Sequence, residues 1–431
     1  MVTFDADLGG RNSRWPILVI LLLALVIRLG WGMSRGTDGG AIEALPDQRD
    51  YLSLAGNLVK GEGLVFVDRR FDDVARAFRT PGYPIFLAGC GANVRVARAA
   101  QAFIDTSTVL AIFILTQLVV RDSRRRAAGI LAAVIVCFNP FLIYFSALLL
   151  TETLFTSMLA WGMVLLVLGR GGRTSNWKLT VAWVTGAMLL CLSVLVRPSA
   201  LGLPVVLGYA VLWMNRRKGG AYERVTRSRW PMPVGATMVG LIGLTLLPWA
   251  WRNYRELGAW VWLDTNSGFT LYDGYNADAT GASDQSFVKR EPVLQTVGEI
   301  GRSEYLGNKA MAWAREHPWR CVELALAKLG RTWSPVTLSS EFGKTRYRLI
   351  ALAYSLPLDV LVLLGLAAGN LPRSAKILLL SPAIYFSIVH AATIGSLRYR
   401  IPAEPPMAIL AAAFLVTNVA ARDGWRRSPD G

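Results

Sequence analysis

The sequence predicts an all-α integral membrane protein with about ten transmembrane helices, and three observations predict it. Of its 431 residues, 53% are hydrophobic and only 17% charged, too little charge for a soluble chain of this size. Apolar runs close to the ~20 residues needed to cross a hydrocarbon core recur from end to end. The basic residues, which set a net charge of +17, gather in alternate loops rather than in one soluble patch.

The predicted spans are 15–33, 96–120, 129–149, 153–168, 179–196, 200–214, 233–251, 349–366, 377–394 and 407–419. If they alternate, the basic runs at 121–126, 170–178, 216–229, 373–376 and 422–427 share one side. The positive-inside rule makes that side the cytoplasm of a cell (inner) membrane, with both termini there and an even number of spans. The charge is therefore read as topology, and no nucleic-acid partner is expected. Arg11 and Arg14 precede the first span as in a signal peptide, but no small-residue cleavage site follows, so the span is expected to be retained. Arg28, near its end, reads as a residue snorkelling to the headgroups. Cys90, Cys137, Cys191 and Cys321 are too scattered for a disulfide framework or a zinc motif, and His317 and His390 are too few for a His-rich metal site.

The alternation leaves two long exterior segments, 34–94 and 252–348, within a single membrane domain covering 1–431. In the first, Tyr51, Leu54, Ala55 and Leu58 have the spacing of an amphipathic helix lying at the interface, ended by Gly61 and Gly63. A polar stretch with Asp68, Arg69, Arg70, Asp72 and Asp73 follows. Pro81-Gly82-Tyr83-Pro84 then turns the chain into a short apolar segment, 85–90, that cannot cross. In the second, 264–276 reads as a turn-rich run with interleaved aromatics. Residues 305–333 read as a helix pair broken at His317-Pro318, with Trp313, Trp319 and Trp333 suited to the interface.

Charged residues recur at the exterior ends of spans, where few basic residues are expected. They are Arg197, Arg252, Arg398 and Arg400, with Asp47 and Glu152. A guanidinium can hold two phosphate oxygens and keeps its charge, so a lipid phosphate is a candidate ligand. Each residue also fits a plainer role. Asp47 suits the N-cap of the interfacial helix, Glu152 the positive end of a helix dipole, and the arginines headgroup anchors. Arg79 suits a turn fastener, and Asn266 a loop-shaping residue.

The motifs decide between these roles by family resemblance. Asp47-Gln48-Arg49-Asp50-Tyr51 has an acid four residues before a tyrosine. Arg79-Thr80-Pro81-Gly82-Tyr83-Pro84, Thr151-Glu152-Thr153, Pro248-Trp249 with Arg252-Asn253, the run 266–274, and Arg398-Tyr399-Arg400-Ile401-Pro402 follow in order. Over nearly its whole length the chain resembles a glycosyltransferase of the C superfold (GT-C), in the branch of the protein mannosyltransferases and lipid A aminoarabinose transferases. Thr80 stands where the family often has proline, and Tyr275 where it often has asparagine.

The resemblance implies an inverting enzyme that moves a sugar from a polyprenyl-phosphate donor to an exterior lipid, glycan or protein acceptor. It implies Asp47 as general base and Glu152 as a second acid that orients the acceptor or a cation, or helps hold a divalent metal if one is used. No certain cofactor follows. Arg398 and Arg400, then Arg252 and Arg197, would hold the donor phosphate, while Arg79, Tyr83, Asn266 and Tyr399 would line the substrate site. No soluble domain follows the tenth span, so acceptor recognition is expected in the two exterior segments. The competing class is a multi-span transporter or flippase of lipid-linked sugars, which predicts charges near the bilayer midplane and broken spans.

Overall fold

The computed structural model describes residues 14–43, 45–121, 123–169, 177–215, 231–338 and 344–426. Most of the basic runs at 170–178 and 216–229, together with Arg11, Asp122 and Arg427, lie outside the described residues. The chain is a membrane protein built almost entirely of helices. Among the described residues, eight helices are long and apolar enough to cross a bilayer: α1 (Trp15–Met33), α5 (Val94–Val119), α8 (Glu152–Gly169), α9 (Trp177–Val196), α11 (Pro231–Leu257), α15 (Thr345–Ala368), α16 (Arg373–Ala392) and α17 (Glu404–Arg426).

Two predicted spans take another form. The sixth is a shorter helix, α10 (Leu203–Asn215). The third is broken into α6 (Arg125–Cys137) and α7 (Pro140–Phe145), because Asn139 caps the second piece by accepting from the backbone N–H groups of Phe141 and Leu142. Residues 146–151 then run as non-helical turns to Glu152. Backbone outside a helix is tolerated at this depth only when protein groups satisfy it. Here α5 supplies them: Gln101 donates to the carbonyls of Ser146 and Leu148 (2.9 and 2.8 Å), and Arg98 to that of Ala147 (2.9 Å). The side chain of Gln48 accepts from Leu149 N–H (2.9 Å).

The break also explains Arg28, and it corrects the snorkelling expectation. A helix end leaves its last carbonyls without backbone donors. Arg28 is wholly buried and donates to the carbonyls of Val136 and Cys137 at the end of α6 (3.2 and 3.0 Å), while its Nε pairs with Asp105 of α5. The residue is a cross-brace between three helices, not a headgroup anchor.

The two long segments fold over one end of this bundle. In the first, α2 (Gly39–Glu43) precedes α3 (Pro46–Val59), which stops at Gly61 and Gly63, both at positive φ. An unpredicted hairpin follows, β1 (Phe66–Asp68) paired antiparallel with β2 (Asp73–Ala75), and then α4 (Gly82–Gly89). The second contains α12 (Ser267–Gly274), α13 (Glu299–Glu316) and α14 (Pro318–Thr332), the last two parted at His317 as predicted. Residues 267–274 are a helix rather than the expected turns. Gly268 permits this, since a Cβ there would lie 2.0 Å from the carbonyl oxygen of Ser303, so α12 packs backbone to backbone on α13. Leu54, Phe66, Phe78, Phe269, Phe287 and Leu306 form a core joining the two segments, separate from the core among the spans.

Candidate active site

Glu152 is the first residue of α8 and is almost fully buried. It sits there because Gln48, Arg98 and Gln101 fix the turns before it. Asp47 lies in the first turn of α3 but does not cap it, since Leu45 holds the cap position and Pro46 follows. Its carboxylate is turned instead to two cations. Oδ1 accepts from Arg79 Nη2 at 2.6 Å, and Oδ2 from Arg398 Nη1 at 3.0 Å. The Nε of Arg398 pairs with Glu152, so one guanidinium bridges the two acids. Arg197, at the end of α9, stands 3.8 Å from Glu152 and over the ring of Tyr399. Arg79 also bonds Asp50 (3.2 Å), which Arg49 holds from the other side (3.0 Å).

Burial alone would raise the Asp47 carboxyl, but Arg79 and Arg398 outweigh it and hold the group well below the usual carboxylate range. As it stands, Asp47 is ionised and weakly basic. The same pairing, with Tyr51 and Asp50, holds Arg79 above its ordinary value against the opposing effect of burial. The cluster still has spare capacity. Glu152 Oε2, Arg197 Nη1 and Arg79 Nε are buried without hydrogen-bond partners, a cost that a bound ligand can offset.

Asp47, Asp50, Arg79, Arg398 and Tyr399 line a cavity of 1130 Å³. One side of it is polar, with Asp68, Arg70, Asn266, Thr270, Ser283 and Gln285. The other is apolar and made by span ends and the broken segment: Trp31, Phe141, Phe145, Leu148, Tyr347 and Ile350. Asn266, predicted as a site residue, is thus brought to the cavity, as are Arg79 and Tyr399.

Glu152 and Arg197 stand behind Arg398 and Tyr399 rather than in the lining, and three further predicted residues take other roles. Arg252 is spent on the carbonyls of Arg76 and Leu64, where it ties the first segment to α11. Arg400 is buried among the helices, bonded to Glu404 (3.0 Å) and Ser355, with Glu404 also accepting from Asn139 (2.7 Å). It locks the C-terminal motif onto α15 and the helix break. Tyr83 is wholly buried and donates to Gln101 (2.5 Å).

Two residues of interest escaped the sequence reading. Arg331 of α14 lines the cavity, and its Nε is buried without a partner. Its neighbours in sequence read as an interfacial helix, which masked it. Asp264, just before Asn266, is raised to about 6 by burial, with Arg79 opposing. The residues present do not form a metal-binding set. Arg398 occupies the space between Asp47 and Glu152, and no group of three or more His, Cys, Asp or Glu side chains converges among the described residues.

No family model matches the sequence, and no curated protein does. Solved structures do match. The oligosaccharyltransferase of Archaeoglobus fulgidus, tethered to an acceptor peptide, aligns with a TM-score of 0.59 at 12% identity, over 98% of this chain and 51% of its own. The oligosaccharyltransferase AglB from Archaeoglobus fulgidus, in complex with an inhibitory peptide and a dolichol-phosphate, gives 0.58 at 11%, over 97% and 52%. ArnT of Cupriavidus metallidurans bound to undecaprenyl phosphate gives 0.44 at 13%, over 95% and 80%. The chain spans about half the length of the archaeal structures that it matches. At these identities the likeness is one of fold. The fold shared is that of the archaeal oligosaccharyltransferase.

Proposed function

We propose that the chain is an inverting glycosyltransferase that moves a sugar from a polyprenyl-phosphate donor to an acceptor on the exterior face of the cell membrane. One observation carries this reading. A bridged pair of acids and three arginines sits in or against a cavity whose other wall is apolar and built from span ends. That combination suits a phosphate with a hydrocarbon tail. A soluble nucleotide sugar would have no use for the apolar wall.

In the proposed reaction an acceptor hydroxyl attacks the anomeric carbon as the bond from that carbon to the phosphate oxygen breaks. The sugar inverts, polyprenyl phosphate leaves, and Asp47 takes the hydroxyl proton. Arg398, with Arg331 facing the cavity and Arg197 behind, neutralises the charge growing on the leaving group. The donor phosphate also competes with Asp47 for Arg398. Once that guanidinium turns to the phosphate, Asp47 loses one of its two cations and its basicity rises. Glu152 keeps Arg398 in reach throughout.

Asp47→Asn tests the assignment. In vesicles supplied with radiolabelled polyprenyl-phosphate sugars and envelope extract, transfer should fall at least ~100-fold, the typical loss of a general base, with donor still bound. Undiminished transfer would sink it. A carrier of lipid-linked sugars is the second reading, favoured by the broken span and the Arg28–Asp105 pair. Neither residue of that pair lines the cavity. Label that crosses sealed vesicles without transfer to acceptor would establish the carrier.

A further inference from the structure

The helix α14 carries two unlike faces. Trp319, Val322 and Leu326 are 81%, 51% and 65% exposed, and at 100° per residue they fall within an arc of about 60°. Leu324, Lys328 and Thr332 are buried and centre on the opposite side. A stripe of this kind in water is an exposed apolar patch that needs a cover.

The cover is indicated by depth. Trp333, which caps the C-terminus of α14, donates from its indole nitrogen to Ser387 of α16 at 2.8 Å. Ser387 lies five residues before Ala392, the last residue of that span, or about 7.5 Å below its end. Interfacial helices bury their apolar faces by about 5–10 Å. Ile384 and Ile388, close to Ser387 on the same apolar span, are exposed, as side chains that meet lipid are. The C-terminal end of α14 is thus level with the last turns of a predicted span, and the stripe begins two turns before that end.

The buried face meets the catalytic cluster. A Cβ at Gly395 would lie 2.4 Å from the carbonyl oxygen of Lys328, so the turn before Arg398 rests directly on the α14 backbone. Gly395 N–H donates to the carbonyl of Gly281 (2.9 Å), which closes the turn from its other side.

We propose that α14 is seated in the lipid leaflet on the side of the catalytic cluster, its Trp319–Val322–Leu326 stripe at the boundary of headgroups and acyl chains, and that this seat sets the height of the turn bearing Arg398. The bilayer is then a positioning element of the site. The coupling to Arg398 rests on the glycosyl-transfer reading, whereas the seat does not.

Leu326→Cys and Arg320→Cys, each carrying an environment-sensitive fluorophore, test the seat in nanodiscs of the full chain. The unsubstituted chain, with its four native cysteines, gives the labelling background. Lipid brominated high on its acyl chains should quench the label at 326 and spare the label at 320. Equal quenching at both overturns the proposal. So does a label at 326 that is shielded from water yet unreached by the bromine, which would mean that protein covers the stripe.

For the coupling, Val322→Asp with Leu326→Asp should lower transfer in bilayers about 10- to 100-fold, the scale of a misplaced positioning group. Val322→Leu with Leu326→Met should retain it. Unchanged transfer by the aspartate pair, with the seat intact in wild type, overturns the coupling. The quenching needs no substrate, so its failure is separate from any failure of the glycosyl-transfer reading.

Discussion

As the proposed base, Asp47 presents a conflict of requirements that only its partners can resolve. A base needs an appreciable affinity for protons, yet two guanidiniums hold this carboxyl well below the usual range. The proposed exchange, in which donor phosphate draws Arg398 away, has a kinetic signature. The acid limb of kcat/KM reports the free enzyme, and that of kcat reports the donor complex. In the free enzyme Asp47 stays ionised down to strongly acidic pH, so kcat/KM should hold up as pH falls. In the complex its pKa is higher, so kcat should begin to fall at a higher pH. Rate profiles measured at saturating and at limiting donor would show the two limbs apart, and coincident limbs would remove the exchange. Glu152 was legible as an acid at the start of a span. Its bridge to Arg398, 246 residues away, was not, because no local pattern encodes a pairing between elements.

At the scale of elements, the segment 146–151 depends on side chains for the bonds that a helix would make internally. Gln101 is its main support, since it donates to two carbonyls and accepts from Tyr83. Gln101→Leu strands three polar groups in the interior, at about 1–3 kcal/mol for each buried group left unsatisfied. A thermal midpoint in detergent lowered by several degrees, with transfer lost because Glu152 is displaced, is the expected result. An unchanged midpoint would mean that water replaces the amide. Elements governed by local chemistry were legible: α3 ends at its glycines, and α13 and α14 part at His317-Pro318. The third span was misread as continuous because its hydrophobicity does not lapse at Asn139-Pro140. The break is paid for by residues on α1 and α5. Arg28 was misread for the same reason, since composition reports depth and not the partner waiting there.

Across the whole molecule, the cavity joins a polar wall from the two long segments to an apolar wall from the spans. The fold class was legible because bilayer thickness and basic loops act on the chain as a whole. The junction was not, because it arises where distant segments meet. If the apolar wall receives the polyprenyl chain, a charge placed in it should discriminate between donors by tail length. Ile350→Asp should raise KM for a long-chain donor at least ~10-fold, the cost of placing a charge among apolar groups in a binding site, and affect a short-chain donor much less. Steady-state kinetics with two tail lengths would read the difference. An equal rise for both would detach the wall from lipid binding.

The bridge through Arg398 also bears on how the protein is made. Asp47 and Glu152 come from the first part of the chain, whereas their shared cation lies 351 and 246 residues later. Chains emerge from the ribosome N-terminus first. Until Arg398 emerges, then, the two carboxylates lack their shared guanidinium, and the bridge forms only once the turn before α17 is in place. A nascent protein halted before that turn therefore holds the buried Glu152 without the guanidinium that bridges it to Asp47.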